Sequence, residues 1–257
     1  MKVIELKDVK KSYGKNEILH GISLDIEEGS IHGLVGRNGC GKTTLIKCLT
    51  GIYEQDQGQI LVCGEEIFEN PNVKAQVGYV ADSNQYFEGY HIDEMVEFYK
   101  QIYPTFDEKV FRDYNQSIGL DVSKRIKELS KGQAMSLASM LNLSIHPKVM
   151  IMDEPMSGLD VIAQKQIKDF IVNEVDMNGM SVLISSHDLK DLESFCDSAS
   201  MMKDGKIKRV GILAKEEAKL ITEVQAEAVP LPTQTEEEDY SAYMDISAFE
   251  HDAVAKI

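Results

Sequence analysis

The chain has 257 residues, of which 43% are hydrophobic and 27% are charged, so a soluble globular protein with an ample core is expected. Its formal net charge of −16 argues against a nucleic-acid partner, because such proteins normally present a basic surface. No apolar run approaches the ~20 residues that span a bilayer, and the N-terminus lacks the pattern of a secretory signal. The four cysteines lack metal-ligand spacing, which indicates reduced thiols in a cytosolic protein.

Strand patterns dominate the first third of the chain. Period-two alternation predicts antiparallel strands, and a short continuous apolar run predicts a buried strand. In chain order, the predicted elements are strands over residues 3–9, 22–26 and 31–35, a helix over 41–49, and strands over 60–62 and 77–80.

From about residue 90 the apolar period becomes helical, and beyond residue 148 strands and helices alternate again. Pro104 separates the first two helices of this region, and Asp204-Gly205 is typical of a tight hairpin turn. The predicted elements are helices over 92–102, 107–118 and 130–145, a strand over 149–152, a helix over 161–175, a strand over 181–185, a helix over 188–195, and hairpin strands over 199–202 and 206–210.

This order predicts an α/β fold with a mostly parallel sheet, an N-terminal antiparallel β subdomain and an inserted helical subdomain at about residues 84–147. The main domain is expected to span residues 1–210. Residues 211–257 differ, because 11 acidic and 2 basic residues lie between Glu216 and Ile257. We predict an acidic, flexible tail there, with an acidic interaction segment as the alternative.

One segment between a predicted strand and a predicted helix, which we call the phosphate loop, fits the pattern G-x-x-x-x-G-K-[ST]. Its glycines let backbone N–H groups turn inward onto phosphate oxygens, and the following helix points its positive end at the same anion. Lys42 is expected to reach the β- and γ-phosphates, and Thr43 to bind Mg²⁺. The nucleoside triphosphate is predicted to contact Gly36, Arg37, Asn38, Gly39, Cys40, Gly41, Lys42, Thr43 and Thr44.

An apolar strand over residues 149–152 ends in two carboxylates, Asp153 and Glu154. Ligands of an open α/β sheet bind beyond the carboxyl ends of its strands, so both acids are expected near the phosphate loop. Asp153 is a candidate ligand for Mg²⁺, directly or through water, and Glu154 is a candidate to polarise the attacking water. His187 ends the next predicted strand and is a candidate donor to the γ-phosphate.

The stretch Leu129-Ser130-Lys131-Gly132-Gln133, which we call the signature segment, opens a predicted helix. It is close to the LSGGQ signature of the ATP-binding cassette (ABC) family, and on these motifs the chain resembles that family. The resemblance implies a P-loop NTPase core with ATP and Mg²⁺ as cofactors. It also implies a head-to-tail dimer with ATP between the phosphate loop of one subunit and Ser130, Lys131, Gly132 and Gln133 of the other.

Further motifs follow in the order of that family, and together they cover about residues 1–210. Tyr13 stands where the family stacks an aromatic ring on adenine, with an ordinary edge tyrosine as the alternative. Ser157-Gly158-Leu159-Asp160 matches the segment that crosses the dimer interface, and His187 matches the switch histidine.

Two residues depart from the family pattern. Asp82 occupies the place of a glutamine that senses Mg²⁺ and the membrane partner, with Gln85 three residues on. Asp82 is a candidate ligand for Mg²⁺ or its water, although it adds negative charge near phosphate. Lys131 replaces the first of the paired glycines, where it either contacts phosphate or points to solvent. These departures resemble the branch that energises small bacterial two-component exporters.

The resemblance implies the ATP-binding and ATP-hydrolysing subunit of an ABC membrane transporter. A homodimer, or a heterodimer with a second ABC ATPase, would drive a separately encoded transmembrane permease subunit through residues 82–103. The protein would then be cytoplasmic and peripheral on the cytoplasmic face of the cell membrane. The alternatives are a soluble non-transport ABC ATPase acting as a dimerisation switch and a non-hydrolysing module, against which Glu154 and His187 argue.

Cys40 lies inside the phosphate loop, beside Lys42 and a predicted helix N-terminus. Such surroundings lower the pKa of a thiol, so we expect alkylation of Cys40 to block ATP binding and ATP to protect it. The alternative is an unreactive small side chain.

Overall fold

The computed structural model describes residues 1–82 and 89–212. The strands are β1 Lys2–Tyr13, β2 Asn16–Glu27, β3 Ile31–Val35, β4 Gln57–Val62, β5 Glu65–Glu66, β6 Val77–Val80, β7 Val149–Met152, β8 Ser181–Ser186, β9 Ser198–Lys203 and β10 Lys206–Ile212. The helices are α1 Lys42–Leu49, α2 Pro71–Lys74, α3 Ile92–Ile102, α4 Glu108–Ile118, α5 Lys131–Leu143, α6 Val161–Asn178 and α7 Lys190–Glu193, with a 3₁₀ turn over Ile126–Glu128.

The strands form two sheets. An antiparallel sheet has the order β2-β1-β4-β5, and a six-stranded sheet has the order β10-β9-β3-β8-β7-β6. In the second sheet β9, β3, β8, β7 and β6 are parallel, and β10 runs antiparallel to β9. The central strands β3, β7 and β8 are buried along their whole length, as expected for parallel strands covered on both faces.

A helical block connects β6 to β7, and it packs on the rest of the fold through α5 and α4. Residues 135–143 of α5 are buried. Asn142 of α5 accepts a hydrogen bond from the backbone N–H of Tyr79 in β6 at 3.1 Å. Tyr114 of α4 donates a hydrogen bond to the buried carboxylate of Glu174 in α6. The block is therefore tied to both the sheet and the following helix.

The α/β fold class is confirmed, with a mostly parallel sheet, a separate antiparallel sheet and helices between β6 and β7. The helix predicted over residues 188–195 is present but shorter than predicted, because α7 covers only Lys190–Glu193. Ahead of this helix, the carboxylate of Asp188 accepts a hydrogen bond from the backbone N–H of Lys190 at 2.9 Å. Such local bonds compete with helix formation and delay its start.

Several predictions fall on residues outside the described ranges, namely Gln85, the first residues of the region 84–147, and the tail from residue 213 onward. The domain boundaries at residues 84, 147 and 210 stay predictions. Within the described ranges, no helix combines the length and apolar character that a bilayer span requires.

Candidate nucleotide site

The phosphate loop joins the end of β3 to the start of α1, at the carboxyl edge of the parallel sheet. The backbone N–H of Gly36 donates to the carbonyl of Ser186 at 3.1 Å, which fastens the loop to β8. Gly41 has φ +111°, a left-handed conformation that glycine adopts readily, and α1 begins at the next residue. The loop thereby turns sharply and presents the N-terminus of α1 to the space above the sheet.

A cavity of about 410 Å³ lies over this loop, within the range of small-ligand sites. Five separate stretches of the chain contribute to it, and they bring the predicted acidic pair and histidine to the phosphate loop. The lining residues are Ile18, Asn38, Gly39, Gly41, Lys42, Thr43, Thr44, Asp82, Glu154, Ser157 and His187.

The side chain of Lys42 is 5% exposed and is held by groups on both sides. Its ammonium donates to the carbonyl of Gly36 and lies 3.1 Å from Oε1 of Glu154. A buried ammonium is costly unless it is paired, so the contact with Glu154 is what makes the burial of Lys42 acceptable. Phosphate oxygens entering the cavity would meet a lysine that is already oriented.

Glu154 lies between Lys42 and His187. Its second oxygen, Oε2, is 2.8 Å from Nδ1 of His187 and accepts from the backbone N–H of His187 at 3.3 Å. The backbone of Glu154 has φ +50°, an uncommon conformation for a residue with a side chain. Strained backbone of this kind clusters at functional sites.

Ser185 connects the two carboxylates. Its hydroxyl donates to Oδ1 of Asp153 at 2.7 Å and accepts from the backbone N–H of Glu154 at 2.9 Å. Asp153 itself is only 1% exposed. One buried hydroxyl therefore fixes both the side chain of Asp153 and the turn that carries Glu154.

The hydrogen bond with Glu154 raises the pKa of His187, and the negative charge of that carboxylate adds to the effect. The neighbouring carboxylate stabilises the charged imidazole more than the neutral one. His187 remains half-exposed on the cavity side. Lys42 and His187 hold the Glu154 carboxylate in the cavity, where a positioned carboxylate is a candidate general base for a water molecule.

Oxygen ligands of the kind that Mg²⁺ prefers are present at the site. Thr43 and Asp82 line the cavity, and Asp153 lies buried at the end of the neighbouring strand β7. Among the described residues no cluster of three or more His, Cys, Asp or Glu side chains is arranged to hold a metal. Mg²⁺ typically binds through one or two protein oxygens together with phosphates and water.

The signature segment does not line the cavity as far as the described residues show. Ser130 and Gln133 form a reciprocal cap on α5, with bonds of 3.2 Å and 3.1 Å to each other's backbone N–H. Lys131 is exposed, and its Nζ lies 3.8 Å from Oδ1 of Asp82. Gly132 is partly buried near Ala163.

Tyr13 lies beside the start of α1 and is 45% exposed. Its hydroxyl is 3.4 Å from Oγ1 of Thr44, and its ring packs edge-on against Tyr53 with centroids 5.9 Å apart. Tyr13 is not among the described lining residues of the cavity, and its stacking on a base stays a prediction.

The predicted lowering of the Cys40 pKa is wrong. Burial raises the pKa of this thiol above its ordinary value, and this outweighs the opposing effect of Lys42. A methyl group added at Gly36 would lie 2.6 Å from the Cys40 sulfur, which shows how closely the loop packs around it. Cys40 therefore matches the alternative of an unreactive small side chain better than that of an activated thiol.

Two residues of the site had no predicted role: Ile18 lines the cavity, and Ser185 links the acidic pair. Ser157, which the family resemblance placed in the segment that crosses the dimer interface, also lines the cavity. The signal for Ser185 was present, since a hydroxyl in an otherwise buried apolar strand requires a polar partner. Ile18 gave no such signal, because its strand approaches the loop only in the folded protein.

The sequence also matches known proteins. Residues 19–157, more than half of the chain, match the family model described as ABC transporter. This chain belongs to the ABC transporter family. The ABC transporter ATP-binding protein YtrB of Bacillus subtilis (strain 168) is 33% identical to it over 208 residues, which cover 81% of this chain and 71% of YtrB.

Solved ABC structures share the fold. One described as an ATP-binding subunit of an ABC transporter has a TM-score of 0.78 at 24% identity and covers 88% of this chain and 98% of its own. The structure of cbiO1 from Clostridium perfringens has a TM-score of 0.72 at 25% identity and covers 88% and 94%. This ABC chain is therefore an ATP-binding, ATP-hydrolysing transporter subunit, and the non-transport alternative is not favoured.

Proposed function

We propose that this ABC subunit holds MgATP in the cavity over its phosphate loop and completes each site with the signature segment of a second subunit. The observation that carries the proposal is that the phosphate loop before α1 and the signature segment before α5 lie in different surroundings. The phosphate loop, Glu154 and His187 share one cavity, whereas the signature segment is exposed and contributes no described residue to that cavity. A second molecule would supply it.

In this proposal the chain acts on ATP through positioning and charge. Lys42 and the loop N–H groups hold the β- and γ-phosphates, and Tyr13 stacks on the base. Glu154 accepts a proton from the attacking water, while Nε2 of His187 donates to the γ-phosphate. Mg²⁺, held by Thr43 and through water by Asp153 or Asp82, would neutralise phosphate charge.

A mixing experiment tests whether the site is shared between subunits. One chain carries Lys42→Ala and the other carries Ser130→Arg, with different tags, and ATP-dependent pairing is measured by pull-down. The mixed pair retains one complete site, made of the intact loop of one chain and the intact signature segment of the other. We expect ATP to drive mixed pairing more strongly than pairing of either variant with itself.

The opposite result has a clear meaning. If ATP drives the mixed pair no better than the two single variants, each site is assembled within one chain and the shared-site proposal fails. Wild-type chains with the same two tags serve as the positive control. Omission of Mg²⁺ from the mixture tests the proposed metal, because pairing through a metal-bound nucleotide should then weaken.

We further propose that the dimer works at the cytoplasmic face of the cell membrane, on a separately encoded transmembrane permease subunit. The name of the cbiO1 structure, which calls that protein part of the transporter complex cbiONQ, supports an arrangement of this kind. The test is affinity purification of the tagged chain from detergent-solubilised membranes. Recovery of a polytopic membrane protein that raises the ATPase rate is expected, and recovery from the membrane-free fraction alone would contradict it.

The division of the chain into an ATPase domain at residues 1–210 and an acidic tail at 211–257 is also a proposal. A chain truncated after residue 215 should bind ATP with unchanged affinity, because the described cavity residues all precede that point. Calorimetric titration measures the affinity, and a large fall in melting temperature would show that the tail belongs to the folded domain.

A further inference from the structure

Two hairpins of this protein have the same kind of turn in different surroundings. Cys63-Gly64 joins β4 to β5, and Asp204-Gly205 joins β9 to β10. All four residues have positive φ, between +48° and +82°, as in the tight two-residue turns that favour glycine at the second position. Gly64 is open to solvent, with no atom within 4 Å of the place where a methyl group would stand.

Gly205 is instead buried between β2 and the phosphate loop. Its N–H donates to the carbonyl of Cys40 at 3.1 Å, and its carbonyl accepts from the N–H of His20 at 2.9 Å. A methyl group at Gly205 would lie 2.1 Å from the carbonyl oxygen of Ile18, which is impossible without movement of the backbone. The tip of this hairpin therefore connects the loop to the strand that carries Ile18, a lining residue of the cavity.

The strand before the turn contacts the same loop from beneath. Met202 is buried, and its carbonyl oxygen lies 2.5 Å from where a methyl group on Gly36 would stand. The end of the Met202 side chain comes within 2.8 Å of the corresponding position on Gly41. Both ends of the phosphate loop thus rest against Met202, and its middle is hydrogen-bonded to Gly205.

We propose that the β9–β10 hairpin positions the phosphate loop, with Gly205 and Met202 as positioning residues for nucleotide binding. Neither residue lines the cavity, so each acts through the loop. Backbone N–H groups bind phosphate only when they converge on it, and a displacement of about 1 Å is enough to weaken such a site severely. The hydrogen bond from the N–H of Gly205 to the carbonyl of Cys40 joins two backbone groups, so it fixes the position of the loop independently of the loop's side chains.

The test compares Gly205→Ala with Gly64→Ala. Both substitutions place a side chain at positive φ in the same type of turn, so both carry a similar conformational cost. We expect Gly205→Ala to raise KM and Kd for ATP about tenfold, and Gly64→Ala to leave both within twofold of the wild type. A purely structural role of Gly205 would lower the melting temperature and the active fraction without changing KM or Kd.

A second pair keeps the proposal testable if Gly205→Ala does not fold. Met202→Ala removes the contact beneath the loop, and Met180→Ala removes an equally buried methionine next to the amino end of β8, at the opposite edge of the sheet. Weaker ATP binding in the Met202 variant alone supports the proposal. Equal ATP affinity in the two methionine variants, or an unchanged Kd in folded Gly205→Ala protein, overturns it.

Discussion

The phosphate loop and the signature segment both precede a helix, yet they are held in different ways. The loop is bonded to β8 through Gly36 and to the β9–β10 hairpin through Cys40, and its lysine is buried. The signature segment is held by its own cap, the reciprocal bonds of Ser130 and Gln133, and its lysine is exposed. Contacts from other strands thus fasten the first segment, whereas the second is satisfied locally and remains open to solvent.

This difference bears on how a shared site would work. A phosphate site needs several N–H groups aligned in advance, which requires support from the rest of the fold. A segment that engages a partner needs exposure and a stable helix start, which a local cap provides. The comparison predicts that changes in the loop act mainly on ATP binding within one chain, while changes in the signature segment act mainly on the pairing of chains.

The largest effect is expected in the cavity at the phosphate loop, where one substitution should separate ATP hydrolysis from ATP binding. Glu154→Gln removes the proposed base while keeping size and shape, so ATP hydrolysis should fall at least ~100-fold while ATP binding and the ATP-dependent dimer persist. Phosphate release measures the rate, and Glu66→Gln on exposed β5 is the matched control. Normal turnover by the Glu154 variant would remove Glu154 from its proposed role.

The buried His32 in β3, the strand that leads into the phosphate loop, should make the free energy of unfolding depend on pH. His32 in β3 is hydrogen-bonded to Ser198 at 2.7 Å and Ser200 at 2.8 Å, and burial lowers its pKa from 6.5 to about 4. Between these values the unfolded chain binds a proton that the folded chain does not, so the free energy of unfolding should fall as the pH is lowered. The loss by pH 4 is about 3 kcal/mol.

Denaturant unfolding at several pH values between 4 and 6.5 measures that slope. His32→Gln is the matched variant, because it keeps a polar side chain that does not titrate. Carboxylates also titrate in this range, so the difference between the two slopes is the informative quantity. Identical slopes for both proteins would contradict the assignment to His32.

A smaller effect is expected for the loop lysine. Lys42→Ala removes a charge-assisted contact with phosphate, which is worth about 2 kcal/mol, so ATP should bind ~30-fold more weakly. Calorimetric titration of the isolated protein gives the affinity, and Lys47→Ala further along α1 controls for the loss of a positive charge on the same helix. Unchanged affinity would count against the phosphate-loop assignment.

The smallest expected effect tests whether the signature segment and the phosphate loop of one chain are independent of each other. Asp82 lines the cavity, and Lys131 lies 3.8 Å from it, so the signature lysine offsets a negative charge beside the proposed phosphate site of its own chain. Both side chains are about half-exposed, which limits their coupling to at most ~1 kcal/mol. Lys131→Ala should weaken ATP binding up to ~5-fold, and not at all when Asp82→Asn is already present.

Binding titrations on the four proteins of that double-mutant cycle give the coupling energy. The control is the exposed pair Lys109 and Asp113 on α4, whose disruption should leave ATP affinity unchanged. A coupling energy near zero would show that the signature segment does not affect ATP binding by its own chain. A clear coupling shows that the signature segment assists the cavity of its own chain as well as that of a partner.

Much of this protein follows from its sequence because the decisive features are local. The strand over residues 149–152 and the helix over 92–102 have the predicted bounds, since continuous burial and helical periodicity are written in neighbouring residues. The phosphate loop is recognisable for the same reason: its glycines, its lysine and the helix after it are contiguous. The ABC family could therefore be inferred from short motifs in order.

The tertiary structure decided what depends on distant residues. Burial reversed the expected pKa shift of Cys40, and Ser185 acquired a role because β7 and β8 pair in a particular register. The support of the phosphate loop by Gly205 joins residues far apart in the chain, and nothing in the local pattern of Asp204-Gly205 distinguishes it from Cys63-Gly64. Turn chemistry is local, whereas what a turn packs against is set by the whole fold.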